Sequence, residues 1–234
     1  METTILVRSV RFGLVAAALL VWRPSPAEAC SCAGPVPLSV ALHYSEIVFV
    51  GTVARIDVDD RSGSAFVLFD VAQTFKGLSA PQISVTQSGM NCDLPFKGGE
   101  QWVVYAREGE AGVTSSKCMR SRLAAEAKQD LLYLHNADEG RPQGILYGDV
   151  FRRRHGPSGL ENYVPSQSLQ VVATNETSRF VTSTDRWGPF ELVLPPGDYL
   201  GWVERDGKPV SRRSAVHVEH GADTRLSLIA EYVD

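Results

Sequence analysis

The placing of four cysteines limits the folds open to this chain more than any other feature. Cys30 and Cys32 are separated only by Ser31, while Cys92 and Cys118 stand alone downstream. A bridge across one intervening residue strains disulfide geometry, so Cys30–Cys32 is disfavoured. The two other pairings both tie the Cys30-Ser31-Cys32 stretch to the regions of Cys92 and Cys118. A zinc site is the weaker reading, because there is a single C-x-C pair and no histidine near the isolated cysteines.

Paired cysteines need an oxidising compartment, and residues 1–29 agree with one. Arg8 and Arg11 make a positive n-region, residues 13–22 an apolar core, and Ala27-Glu28-Ala29 an A-x-A cleavage site. The apolar run falls short of the roughly 20 residues that span a bilayer. Residues 1–29 therefore read as a signal peptide, and the mature form is expected to carry no spanning segment. Cleavage after Ala29 would make Cys30 the first residue. A lipoprotein signal is the rival, but Ala27 and Glu28 suit it poorly. The expected location is secreted, periplasmic or cell surface.

Removing Arg8, Arg11, Arg23, Glu2 and Glu28 leaves 20 basic and 25 acidic residues, a formal charge of −5. Binders of nucleic acid or anionic lipid usually show a basic surplus or stripe, so neither is expected as a partner. The local run Arg152-Arg153-Arg154-His155 reads as a solvated hairpin edge.

The expected fold class is mainly β. Residues 39–43 suggest a short helix with His43 near its end. Residues 47–56, 65–75, 82–87, 101–106 and 112–115 are β-branched and apolar and read as five strands. Gly51 marks a bulge or barrel bend. Residues 57–63 are an acidic turn without the spacing of a calcium loop. Five strands with such bends are compatible with a closed OB-type barrel, although periodicity does not separate it from a sandwich. Over residues 121–135, Leu123, Ala124, Ala127, Leu131, Leu132 and Leu134 recur near helical spacing, which predicts an amphipathic helix packed on the barrel.

A polar linker is expected over 137–143, between a first domain (30–136) and a second (144–234). The second reads as a seven-stranded β-sandwich with strands at 144–152, 168–173, 178–184, 189–194, 198–204, 213–218 and 224–229. Asn175-Glu176-Thr177 matches a glycosylation pattern, one that arises often by chance. His217 and Glu219 would share a strand face with His220 turned away, so they do not converge on a metal. Asp70 and Glu100 are isolated carboxylates with strand-end or turn roles. No Ser-His-Asp set, H-E-x-x-H or phosphate loop is visible, so an enzyme is not expected and no cofactor is implied.

Several short motifs, taken in order, give a resemblance. They are Cys-Ser-Cys at the mature start, Ile47-Val-Phe-Val-Gly-Thr-Val53, Phe75-Lys76-Gly77, Cys92, Trp102-Val-Val-Tyr-Ala106 and Cys118. Residues 30–136 resemble the inhibitory domain of the tissue inhibitors of metalloproteinases, within the netrin-like family. The resemblance implies the pairings Cys30–Cys92 and Cys32–Cys118. It has no counterpart here for the family's third bridge or its cysteine-rich second domain. Residues 144–234 are similar to carboxypeptidase-regulatory-like and Cna-B-type sandwiches through Thr184-Asp185-Arg-Trp-Gly188-Pro-Phe190 and Leu194-Pro195-Pro196-Gly197-Asp198-Tyr199. Such modules serve as folding partners, spacers or stalks.

The first resemblance implies a concrete chemistry. The α-amine and carbonyl of Cys30 would chelate the catalytic zinc of a target metalloprotease at its open position. An α-amine titrates at about 7.7–8, so the metal displaces about one proton near neutral pH. Ser31 would enter the specificity pocket, and Ser88, Gly89, Met90 and Asn91 would form a second contact ridge. The partner is then a zinc metalloprotease. The alternative is a non-inhibitory surface or periplasmic scaffold or adhesion module, with an unidentified protein partner and a Cys-Ser-Cys tip that is purely structural.

Overall fold

Strands form where β-branched and aromatic residues concentrate. The computed structural model describes residues 30, 32, 36–155, 161–165, 168–184 and 188–231, and the expected signal peptide lies outside them. Five strands come first: β1 (Ile47–Val58), β2 (Ala65–Lys76), β3 (Gln82–Gln87), β4 (Gln101–Gly109) and β5 (Gly112–Thr114). β1 pairs antiparallel with β2 and β4, β2 with β3, and β4 with β5, while β3 and β5 run parallel. The circuit β1-β2-β3-β5-β4-β1 closes, which leaves no open edge. This is the expected OB-type barrel. The register of β1 against β2 shifts at Val50/Gly51, the bend that Gly51 marks. Inside, Phe49, Phe69, Phe96 and Trp102 stack edge to face with centroid spacings of 5.5, 5.1 and 4.7 Å. Edge-to-face rings add to the burial energy of their area.

Two helices cover the outside of the barrel, α1 (Leu38–Tyr44) and α2 (Lys128–Asp138). Ala41, Ala127 and Leu134 pack on Val48, Val50, Val103 and Tyr105 of β1 and β4. The second helix begins later than expected. Arg122–Leu123 form β6 against β4, and Ala124–Glu126 make a single 3-10 turn. Pairing with Trp102 holds Leu123 extended, so tertiary contact overrides its helical spacing.

The second half is a sandwich. One sheet holds β9 (Gln170–Thr174), β10 (Arg179–Ser183), β12 (Gly197–Arg205), β13 (Lys208–Pro209) and β14 (Ser214–Val218). Its order is β10-β9-β12, with β13 and β14 both on β12. The other sheet centres on β7 (Gly144–His155), flanked by β8 (Glu161–Pro165), β11 (Pro189–Leu194), β15 (Asp223–Arg225) and β16 (Leu228–Ala230). Leu146, Val150, Val171, Leu192, Val203 and Leu228 fill the space between the sheets. All seven expected strands are present, the last divided into β15 and β16. A Cβ on Gly148 would lie 1.8 Å from Leu226 O, so only glycine lets the chain past Leu226 close on β7.

The described residues from Cys32 onward form one compact unit. Leu38, Ile145 and Val193 cluster between the barrel's helices and the sandwich, beside Tyr133 and Tyr147. Gln129 Oε1 accepts the Val193 N–H at 2.8 Å, and Gln143 Nε2 donates to Tyr133 O at 2.8 Å. Ser39 Oγ hydrogen-bonds Asp223.

Candidate functional site

The tip comes first, because the sequence singles it out. Cys32 and Cys118 are bridged with a Cα separation of 5.2 Å. Cys30 and Cys92 are also disulfide-bonded, and no cysteine is free. Ser31 lies outside the described residues. Cysteine sulfur is the donor in the metal-sized cluster found among the described residues, but each of these sulfurs is oxidised. A metal takes the thiolate, which a disulfide does not offer. With Cys30 and Cys32 both tied up in disulfides, the expectation of a zinc-directed inhibitory tip is corrected to a stapled, structural one. The arrangement fits the structural alternative, in which Cys-Ser-Cys pins the start of the mature chain.

The expected second ridge is an ordered turn. Asp93 Oδ1 accepts the Ser88 N–H and hydroxyl, both at 3.2 Å, and Oδ2 accepts the Gly89 and Met90 N–H groups at 2.7 and 3.1 Å. Lys117 Nζ donates to Asn91 O at 3.0 Å. Met90 is 69 % exposed at the crest. Asp93→Ala is expected to raise amide hydrogen exchange at Ser88, Gly89 and Met90 and to cost about 1–3 kcal/mol of stability. Unchanged exchange would mean that the carboxylate does not hold the turn.

The other singled-out residues have local roles. Gln82 Nε2 donates to Asp70 at 2.8 Å, and Glu100 accepts the Lys97 N–H and Trp102 Nε1. His217 pairs with Asp198 while His220 meets Gln143, so the three residues of the His-Glu-His tract do not converge. Asn175 Oδ1 caps its own exposed turn through the Thr177 and Ser178 N–H groups.

The sequence did not mark Arg120, the centre of the buried polar chemistry. Its Nε meets Asp130 Oδ1 at 2.6 Å, its Nη2 meets Oδ2 at 3.1 Å, and its Nη1 donates to Val36 O at 2.7 Å. The Arg120 and Asp130 side chains are 4 % and 1 % exposed. The same Nη2 pairs across the interface with Glu191 of β11, whose Oε1 accepts the Leu38 N–H at 3.1 Å. Burial alone would lower the Arg120 pKa. The hydrogen bonds and charge of Asp130, then of Glu191, outweigh burial and raise it. No local signal could have found this group: Asp130 reads as one polar position on a helix, and Arg120 as a loop cation.

Tyr105 Oη donates to Asp130 Oδ1 at 2.9 Å. Burial, then the Asp130 charge, pushes the phenol well above its ordinary value. In the unfolded chain it titrates near 10. Its contribution is therefore complete below about pH 10 and is lost as pH rises, because only the unfolded phenol ionises. Urea titrations from pH 9 to 11.5 should show falling stability, with a shallower fall in Tyr105→Phe. An equal slope would contradict this.

Next to Arg120 the barrel and the sandwich leave an open cleft of about 670 Å³. Arg122, Glu126 and Lys128 line one wall, and Tyr147, Val181 and Phe190 the other.

No protein-family model and no curated protein matches the chain. Solved structures with some likeness include a DUF3823 family protein from Parabacteroides merdae, at 18% identity and a TM-score of 0.26, covering 38% of this chain and 46% of that one. The minor pilin GBS52 of Streptococcus agalactiae gives 12% identity and 0.29, covering 81% and 84%. The Bacillus anthracis TIE protein gives 12% and 0.31, covering 81% and 35%. The chain thus spans less than half the length of the Parabacteroides and Bacillus proteins. Likeness at these scores carries no argument about function.

Proposed function

We propose that this chain is an exported, non-enzymatic protein-interaction module, a scaffold or adhesion unit acting at a cell surface or in a periplasm. The observation that carries the reading is the state of the tip, where Cys30 and Cys32 are both engaged in disulfides. A stapled tip gives the barrel a fixed start. Arg120 then fastens the sandwich to the barrel. What results is a preorganised two-domain surface, and preorganisation lowers the ordering cost of binding a partner.

The test compares the mature protein, residues 30–234, with a form carrying one extra alanine before Cys30. Both are immobilised and exposed to proteins of the native outer surface. The module reading predicts the same protein partner on both. Loss of capture on adding the alanine would assign binding to the terminal amine, and failure of both forms to capture a partner would remove the reading.

A further inference from the structure

Cys32 and Cys118 are each half-buried, so solvent reaches their bridge. Cys118 lines an open hollow of about 220 Å³ together with Val36, Lys117, Arg120, Arg122 and Glu126. The cations around this hollow are not equally occupied. Arg120 is held by Asp130 and Glu191. Among the described residues, the side chains of Lys117 and Arg122 donate only to backbone carbonyls, Asn91 O at 3.0 Å and Arg120 O at 3.3 Å. Glu126 is the one carboxylate on the lining, and it pairs with neither of them. Cys118 therefore sits in partly exposed, locally electropositive surroundings. Reactive cysteines are found in such places, because nearby cations stabilise the thiolate.

Both ends of the bridge lead into the fastening between barrel and sandwich. Cys118 stands two residues before Arg120, and Cys32 four residues before Val36. Arg120 Nη1 holds Val36 O at 2.7 Å, and Glu191 Oε1 of the sandwich accepts the Leu38 N–H at 3.1 Å. Segment 36–38 thus lies between a disulfide and the sandwich. The two cores do not depend on it in the same way. The cluster around Phe49, Phe69 and Trp102 is separate from the one around Leu146, Val171 and Leu192. Each core can keep its protection while the join between them loosens, since stability is not uniform across a fold.

We propose that Cys32–Cys118 is a reducible clasp, opened by a dithiol and closed by oxidation, that sets whether barrel and sandwich are held together. A thiolate of the dithiol attacks Cys32 Sγ. The S–S bond breaks, and its electron pair leaves on Cys118 Sγ, beside Lys117 and Arg122. The better-stabilised thiolate leaves faster, which directs attack to Cys32. The second thiol of the dithiol then displaces Cys32 from the mixed disulfide. The dithiol is oxidised by two electrons to its own disulfide, and its two protons pass to Cys32 and Cys118. The reductant required is a dithiol protein of the same exported compartment. What the clasp is used for rests on the interaction reading above, while its chemistry is tested without a partner.

The oxidised mature protein is treated with dithiothreitol at neutral pH, quenched by alkylation at intervals and mapped. Cys32 and Cys118 should become alkylated about tenfold faster than Cys30 and Cys92. The double variant Lys117→Gln, Arg122→Gln should slow this opening by about threefold or more. A variant that was merely destabilised would open faster, so slowing reports the lost charge. With only Cys32–Cys118 open, amide exchange should rise by about tenfold or more at Leu38 and Val193, whose N–H groups cross between the halves. Val104 in the barrel and Val171 in the sandwich should keep their protection, and reoxidation should restore the slow rates. The proposal is overturned if both bridges open together, if the variant opens as fast as the native protein, or if Leu38 and Val193 stay protected after reduction. Each of those results leaves partner capture by the oxidised protein as it was, so the interaction reading is judged separately.

Discussion

Arg120→Ala is expected to lower the free energy of unfolding by about 3–5 kcal/mol. The loss arises from the groups left behind. Asp130, 1 % exposed, would keep the Tyr105 hydroxyl but lose both guanidinium contacts. Glu191 would keep only the Leu38 N–H. A buried carboxylate stripped of its cation bears its full desolvation cost, and that cost falls on Asp130, while Glu191, 18 % exposed on the cleft, can be reached by water. Because Arg120 also joins the barrel to the sandwich, the urea transition should broaden or divide. The double variant Arg120→Met, Asp130→Leu should recover most of the loss, since apolar groups of similar volume can replace a buried ion pair at little cost. If Arg120→Ala unfolds within 1 kcal/mol of the native protein, the network does not hold the two halves together.

Opening the Cys32–Cys118 bridge should be as damaging. The cysteines are 86 residues apart, and a loop of that length restricts the unfolded chain by about 4–5 kcal/mol in the chain-entropy treatment. The Cys32→Ala, Cys118→Ala double variant avoids a stray thiol. It should unfold at markedly lower urea, and the start of the chain at 36–37 should lose amide protection before the barrel core does. Arg120 Nη1 holds Val36 O at 2.7 Å, so loosening here should spread to the interdomain network. A shift under 1 kcal/mol would mean that hydrogen bonding alone fixes this segment.

The barrel was legible because its strands carry their own signals. Ile47-Val-Phe-Val and Trp102-Val-Val-Tyr are apolar on both faces, and in the fold one face meets the barrel core and the other the helices. Local spacing misplaced the start of the second helix, because it cannot see that Leu123 pairs with Trp102 across the barrel. β8 and β13 were missed for a related reason: they are five- and two-residue partners of longer strands. The tip was visible as a motif, but its chemistry was not, since the letters Cys-Ser-Cys are the same whether the sulfurs are thiols or disulfides. The Arg120 network was illegible throughout. Its members come from a loop, a helix, β4 and β11, and only the fold makes neighbours of them.

The most direct measurement of the account is non-reducing peptide mapping of the mature protein together with a thiol count. The account predicts no free thiol, and a cross-linked peptide joining Cys32 to Cys118. A free thiol at Cys30 or Cys32 would contradict it, because the tip would then be a reactive end and not a staple.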